Sequence, residues 1–295
     1  MLYLVFSVFY IFFSRFLNRQ FHFLVFFSCF IFTKKIYYIL TFITKTEVFM
    51  ANYFQRLCGL MRKAIVQYDM LQDGDRVCVG VSGGKDSVAM TLALAQLQKY
   101  IGIDFEIVAV TLDPQFFSKP QDYSRLEELF REKGIKYIIR RTEIGPIIFD
   151  QRKEDNPCSL CARMRRGALH DIAKEYGCNK ICLGHHLDDA IETFYMNLWN
   201  EGRIGTFSPV TYLSRKDVTM IRPMALAVES DVVSAVNQLK LPVVKSLCPM
   251  DGVSNRQNMK NFVSDMCRKD PSFRAKSLNA FQKKDLDGWG IKNPI

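Results

Sequence analysis

The chain has 295 residues, a formal net charge of +10 and nine cysteines, with 48% hydrophobic and 24% charged residues. That balance excludes an intrinsically disordered or collagen-like chain. The cysteines have no framework spacing, which excludes a disulfide scaffold and fits a reducing, cytoplasmic compartment.

Residues 1–49 stand apart from the rest. Thirteen of the 24 phenylalanines lie there, with five Lys/Arg against one acid. The longest stretches free of Lys, Arg, Asp and Glu, 1–14 and 20–33, are 14 residues each, short of the ~18 a spanning helix needs. No small-residue cleavage site precedes the polar part, so neither a secretory signal nor membrane association is expected. At Met50 the composition changes abruptly to that of a globular domain. The expectation is that Met50 is the true start and 1–49 an over-extended reading frame, with a membrane-associated extension as the alternative.

After a helix expected at 52–68, the apolar run Val77-Cys78-Val79-Gly80-Val81 reads as a buried parallel strand. Ser82-Gly83-Gly84-Lys85-Asp86-Ser87 follows, and then helical spacing to Lys99. A strand, a Gly-Gly turn and a helix N-terminus make an anion site: backbone N–H groups approach phosphate oxygens and the helix dipole favours negative charge. Lys85 adds a cation, Ser82 and Ser87 add hydroxyls, and Asp86 can help hold Mg²⁺. The spacing is not that of the Walker loop. A bare Gly-Gly turn would more simply mean tight packing, but six motif residues in this context argue for phosphate.

Strands at 106–112 and 136–140 flank a helix at 123–133, and Asp113-Pro114 closes the first of them. Pro157-Cys158-Ser159-Leu160-Cys161 opens a helix reaching about residue 176, with Arg163, Arg165 and Arg166 beside the cysteines. Two cysteines so spaced at a helix start can ligate one metal or cluster, and the dipole and arginines are expected to favour thiolate. The run 180–184 is a strand ending in Gly184-His185-His186-Leu187-Asp188-Asp189, with a helix to about 199. Asp188 or Asp189 either binds metal or caps that helix. Residues 201–216 read as a loop or short hairpin, 229–239 and 257–268 as helices. Cys78 and Cys182 are most simply core residues, while Cys29, Cys58, Cys178 and Cys267 have no motif context.

The alternation argues for an α/β fold with a doubly wound parallel sheet. Ligands then sit past the carboxyl ends of the strands, where the phosphate loop and the His185 segment both fall. The domains expected are 50–225, with the nucleotide and catalytic site, and a C-terminal region 226–295. The +6 balance of residues 50–295 alone indicates little. The concentration of Arg163, Arg165 and Arg166, with Arg203, Arg215 and Lys216 beyond, suits phosphates of RNA.

The hexapeptide 82–87 resembles the pyrophosphate-binding loop of the PP-loop ATP pyrophosphatases (adenine nucleotide alpha hydrolase-like). The resemblance implies ATP and Mg²⁺, with adenylation of a substrate oxygen and release of pyrophosphate. With Cys158-Ser159-Leu160-Cys161, Arg165-Arg166-Gly167, Gly184-His185-His186-Leu187-Asp188-Asp189 and Ile221-Arg222-Pro223-Met224, residues 54–284 resemble the tRNA-cytidine 2-sulfurtransferases. That family implies a tRNA substrate, 2-thiocytidine at position 32, and a sulfur donor such as a cysteine desulfurase; a homodimer is left open.

It further implies a [4Fe–4S] cluster on three cysteines, here Cys158, Cys161 and, in the C-terminal region, Cys248. Many members carry a second CxxC there, whereas this chain has Ser246 two residues before Cys248. The implied ATP contacts are Ser82, Gly83, Gly84, Lys85, Asp86, Ser87, Asp113 and His185. Lys85, Asp86, Cys158, Cys161, Asp188 and Asp189 are the implied catalytic set, and Arg163, Arg165 and Arg166 would bind tRNA. A four-ligand zinc site, a 2-thiouridine-forming relative and a non-catalytic RNA-binding protein are the alternatives. Lysidine synthetases share the His-His segment but have no use for the cysteine pair.

Overall fold

A computed structural model describes residues 52–118, 120–152, 157–250 and 255–294. The expectation about residues 1–49 and Met50, with Cys29, lies outside the described residues. Asn52–Ile295 forms one compact unit.

Six strands make one sheet: β1 (Asp75–Gly80), β2 (Phe105–Asp113), β3 (Lys136–Arg141), β4 (Lys180–Cys182), β5 (Val210–Leu213) and β6 (Val218–Ile221), in the order β3-β2-β1-β4-β6-β5. All neighbours pair in parallel except β5 with β6, which form an antiparallel hairpin. The centre of the sheet is apolar on both faces, as parallel sheets require. Val77 and Val79 point into one core while Cys78, between them, points into the other. β3 lies on the edge and carries Lys136, Arg140 and Arg141, charges that discourage further pairing.

Helices α1 (Tyr53–Gln67), α2 (Lys85–Leu97) and α6 (Glu229–Leu239) pack together on one face of the sheet. Helix α3 (Ser124–Glu132) lays Leu126 and Phe130 into the same core. The opposite face is covered by α4 (Pro157–Glu175), whose Leu169, Ile172 and Ala173 meet Cys78, Val108, Val110 and Ile181. Proline at the first position of α4 suits a helix start, where its missing N–H costs nothing. Helix α5 (Leu187–Glu201) is joined by α7 (Asn255–Lys269) and α8 (Phe273–Lys283).

The doubly wound α/β sheet is the expected one. Three elements differ from expectation. The 180–184 strand stops at Cys182, because Leu183 and Gly184 already turn toward the site. The hairpin beyond residue 201 lies further on, and its second strand β6 joins the parallel sheet beside β4. Helix α8 was not foreseen: FRAKSLNAFQK buries only Phe273 and Phe281, too sparse a stripe for helical periodicity.

Candidate functional site

The β1–α2 turn is built as an anion cradle. Gly83 takes φ +84°, a left-handed conformation that a side chain would strain. Gly84 caps α2 without a side-chain bond, leaving the helix start open to a ligand. The two serines lock the turn. Ser82 N–H donates to Ser87 Oγ at 3.1 Å, Gly84 N–H donates to Ser82 Oγ at 3.3 Å, and Ser87 Oγ–H donates to the Gly84 carbonyl at 2.9 Å. The hydroxyls thus shape the loop as well as lining it. From β4, Gly184 runs so close that a Cβ there would lie 3.3 Å from the Ser87 nitrogen.

Lys85 Nζ lies 2.9 Å from Asp86 Oδ2 and 3.0 Å from Glu229 Oε1, and Lys260 of α7 reaches the same Glu229 oxygen at 2.7 Å. Burial opposes a charged Lys85, but Asp86 and Glu229 outweigh it and raise its pKa. Burial likewise works against the Glu229 carboxylate, yet Lys260 and Lys85 bring it down to about 2. The other Asp86 oxygen, Oδ1, is buried without a hydrogen bond, 3.9 Å from His186 Nε2. A carboxylate oxygen left unpaired beside a phosphate loop suits a hydrated cation.

The His-His-x-Asp-Asp segment divides its work. His186, not His185, faces Asp86, and it also caps α5. Its Nδ1 accepts from Asp189 N–H at 3.3 Å while Asp189 Oδ2 accepts from His186 N–H at 2.9 Å. Asp188 is buried; Oδ2 accepts from Glu229 N–H at 2.7 Å and Oδ1 from Arg274 Nε of α8. It therefore fastens α5 to α6 and α8. His185 instead turns toward Phe207, with ring centroids 5.1 Å apart. His186, Glu229 and Lys260 were missed in the sequence. Glu229 and Lys260 belong to no motif, and histidine is not a usual N-cap.

On the other side of the phosphate loop lies a cavity of about 200 Å³, lined by Ser82, Gly84, Asp113, Tyr123, Arg165 and Lys245 among others. Asp113 lies at its wall but is engaged by its own loop, accepting from Gln115 N–H at 3.0 Å and Gln121 N–H at 3.1 Å. The segment before Cys248 crosses the loop: Val244 N–H donates to the Gly83 carbonyl at 2.9 Å. A Cβ on Gly83 would meet the Val244 Cβ at 3.0 Å, so the glycine also admits this strap.

Cys158 is exposed, and Cys161 and Cys248 are half-buried; Cys78 and Cys182 are core residues, as expected. The arginines were expected to favour thiolate, but burial pushes the Cys161 thiol up. Arg165 opposes this, while Cys248 and Cys158 add to it. Cys248 and Cys158 thus both lie near enough to act on Cys161. Among the described residues, no three His, Cys, Asp or Glu side chains are gathered closely enough to hold a metal ion as they stand. Arg163 and Arg166 are exposed and Arg165 half-buried on α4.

A parallel sheet with a Ser-Gly-Gly-Lys-Asp-Ser cradle after its first strand defines a PP-loop protein, and the chain matches the PP-loop domain family over residues 56–263. The tRNA-cytidine(32) 2-sulfurtransferase of Citrifermentans bemidjiense is 35% identical over 230 residues, covering 77% of this chain and 89% of that one. The same enzyme of Syntrophotalea carbinolica is 37% identical, covering 77% and 88%. Among solved structures, the U34-tRNA thiolase NcsA from Methanococcus maripaludis with its [4Fe-4S] cluster superposes with a TM-score of 0.65 at 24% identity, covering 79% of this chain and 78% of that one. The chain belongs to the tRNA-cytidine(32) 2-sulfurtransferase family of ATP-binding PP-loop enzymes. Among the described residues no helix is long and apolar enough to cross a membrane.

Proposed function

We propose that this protein activates the C2 oxygen of cytidine 32 in a tRNA anticodon loop with ATP and exchanges that oxygen for sulfur. The observation that carries this reading is the Val244–Gly83 hydrogen bond, which ties the segment leading to Cys248 onto the phosphate loop. Activation and sulfur chemistry then share one crevice.

In the activation step the cytosine O2 attacks the α-phosphorus of ATP and pyrophosphate leaves. Gly83, Gly84, the α2 N-terminus and Lys85 stabilise the charge on the leaving phosphates. Lys85 has to exchange its bond to Glu229 for one to phosphate, and Lys260 keeps Glu229 charged meanwhile. Asp86 would hold Mg²⁺ through Oδ1, the oxygen without a hydrogen bond. In the second step hydrosulfide adds at C2, AMP departs with the former O2 as one of its phosphate oxygens, and the sulfur's proton is lost to solvent. A sulfur donor such as a cysteine desulfurase, with a thiol reductant that releases its persulfide sulfur as hydrosulfide, would renew the sulfide.

Cys158, Cys161 and Cys248 suit a [4Fe–4S] cluster as a donor set: three exposed or half-buried thiols, with Cys158 and Cys248 near enough to act on Cys161. Held by these three thiolates, a cluster would leave one iron without a protein ligand, and the chemistry it would supply is delivery of hydrosulfide. Arg165, between the nucleotide cavity and Cys161, would meet the α-phosphate or the RNA. Unpairing and extrusion of the target base would complete the geometry.

The test is nucleoside mass spectrometry after anaerobic incubation of the full-length protein with unmodified tRNA, ATP, Mg²⁺ and sulfide. 2-Thiocytidine that disappears with Cys158→Ala and with Asp86→Asn supports the reading. A different thionucleoside overturns the target, and none at all, with tRNA bound, overturns the chemistry.

A further inference from the structure

We propose that Arg222 binds a backbone phosphodiester of the incoming RNA, with Arg166 as a second cation and His170 as an N–H donor, between α4 and the β5–β6 hairpin. The proposal rests on the RNA substrate argued above.

Alternation along β6 sends Val218 and Met220 to one face of the sheet, and Arg222 follows the end of the strand with Nη2 3.2 Å from the Met220 sulfur. Val218 packs there against Leu169 and Ile172 of α4. Arg166 and His170 flank Leu169 on that helix, close enough for Arg166 to depress the pKa values of both His170 and Arg222. Leu183 N–H donates to the Ile221 carbonyl at 3.0 Å, so Arg222 stands beside the carboxyl end of β4. Its guanidinium lies 4.9 Å over the Phe207 ring, the ring that His185 also meets. Arg222 is thus at the rim where the sheet receives its ligands.

Everything Arg222 touches is neutral. Nη1 donates to the Ser208 carbonyl and, at 3.4 Å, to Thr211 Oγ1, while Nη2 reaches only the Met220 sulfur at 3.2 Å. The residue is 8% exposed, and its Nε is buried without a partner. Among the described residues no carboxylate pairs with it. His170 Nε2, on α4, is likewise buried without a hydrogen bond. Burial, with Arg166 adding to it, brings the Arg222 pKa down to about 10. A buried cation with no counter-charge is costly, and a hairpin brace could be made more cheaply from apolar residues. The missing element is an anion able to accept from several N–H groups, which describes a phosphate.

The phosphate is the RNA's and not ATP's. The nucleotide cradle follows β1, two places from β6 in the order β1-β4-β6, roughly 10 Å away at the usual strand spacing. The nucleotide cavity opens on the Arg165 side of α4. Arg166 is a turn of about 100° from Arg165 around the helix and serves the hairpin side. Lys216 in the hairpin turn is paired with Asp171 of α4 at 3.3 Å, so the excess positive charge here rests on Arg222 and Arg166.

The experiment measures binding of unmodified tRNA to the full-length protein over a series of KCl concentrations, with ATP affinity measured in parallel. Arg222→Met is expected to weaken tRNA binding about tenfold and to make the slope of log Kd against log salt shallower by about one, with ATP affinity unchanged. Arg222→Lys should keep the slope and lose part of the affinity. A folded methionine variant with the wild-type slope and affinity overturns the proposal in favour of a brace. Loss of ATP affinity with tRNA binding intact assigns the phosphate to the nucleotide and also overturns it. If the methionine variant does not fold, Arg222→Gln, which keeps a donor for Ser208, is read by the same slope. Failure of the wild-type protein to bind tRNA at all would remove the RNA reading itself, and this proposal with it.

Discussion

Asp86 and Asp188 both lie in the first turn of a helix at the carboxyl edge of the sheet, with opposite surroundings. Asp86 keeps one buried oxygen free of hydrogen bonds, whereas both Asp188 oxygens are taken by Glu229 N–H and Arg274. Asp188→Ala is therefore expected to lower the unfolding free energy by about 2 kcal/mol in urea titrations, the partial exposure of Arg274 moderating the loss. Asp86→Asn should change it by less than about 0.5 kcal/mol while abolishing release of pyrophosphate. Glu229 supplies a pH dependence. Its folded pKa of about 2 lies below the ordinary 4.5, so its contribution is in place above about 4.5 and is lost as pH falls toward 2. Glu229→Gln should flatten the stability profile across that window. The sequence made the glycines, Lys85 and Asp86 legible because the motif is contiguous. It could not say which of two adjacent histidines faces Asp86, since nothing in a loop fixes side-chain direction as periodicity does in a helix.

At the scale of elements, the strap from residue 242 to 248 and the phosphate loop act as one unit. Gly83→Ala would put a side chain at φ +84° and 3.0 Å from the Val244 Cβ. The strain, about 1–2 kcal/mol for the left-handed conformation alone, should appear as weakened ATP binding in calorimetry, with the cysteine pair untouched. The long elements were legible from their apolar runs. β6 and α8 were not, for different reasons. A four-residue strand has too few positions to reveal a period, and α8 owes its place to Phe273, Phe281 and the Asp188–Arg274 bond, contacts between residues far apart in the chain. Residues 201–216 were expected as a loop or short hairpin; the hairpin lies further on, and its insertion beside β4 was not foreseen. That pairing is a property of the whole sheet.

Over the whole molecule the C-terminal residues return to the first helix. Trp289 is fully buried, donates from Nε1 to the Phe207 carbonyl at 2.8 Å, and meets Tyr68 and Phe281 edge-on or tilted. Lys292 and Asn293 N–H groups both reach the Gln67 carbonyl at 3.2 Å. Trp289→Ala is expected to cost about 3–5 kcal/mol of stability in denaturant unfolding. It should also weaken tRNA binding through Phe207, the ring beneath Arg222, more than it weakens ATP binding. A tryptophan so late in the chain has no local partner in the sequence, so neither its burial nor its support of the site was legible there.

The same closure sets an order of events during synthesis. Every strand of the sheet has been made by Ile221, yet Gly83 receives its strap only from Val244 and Phe207 its backing only from Trp289. While those later segments are still inside the ribosome, the crevice has a floor and lacks two of its walls.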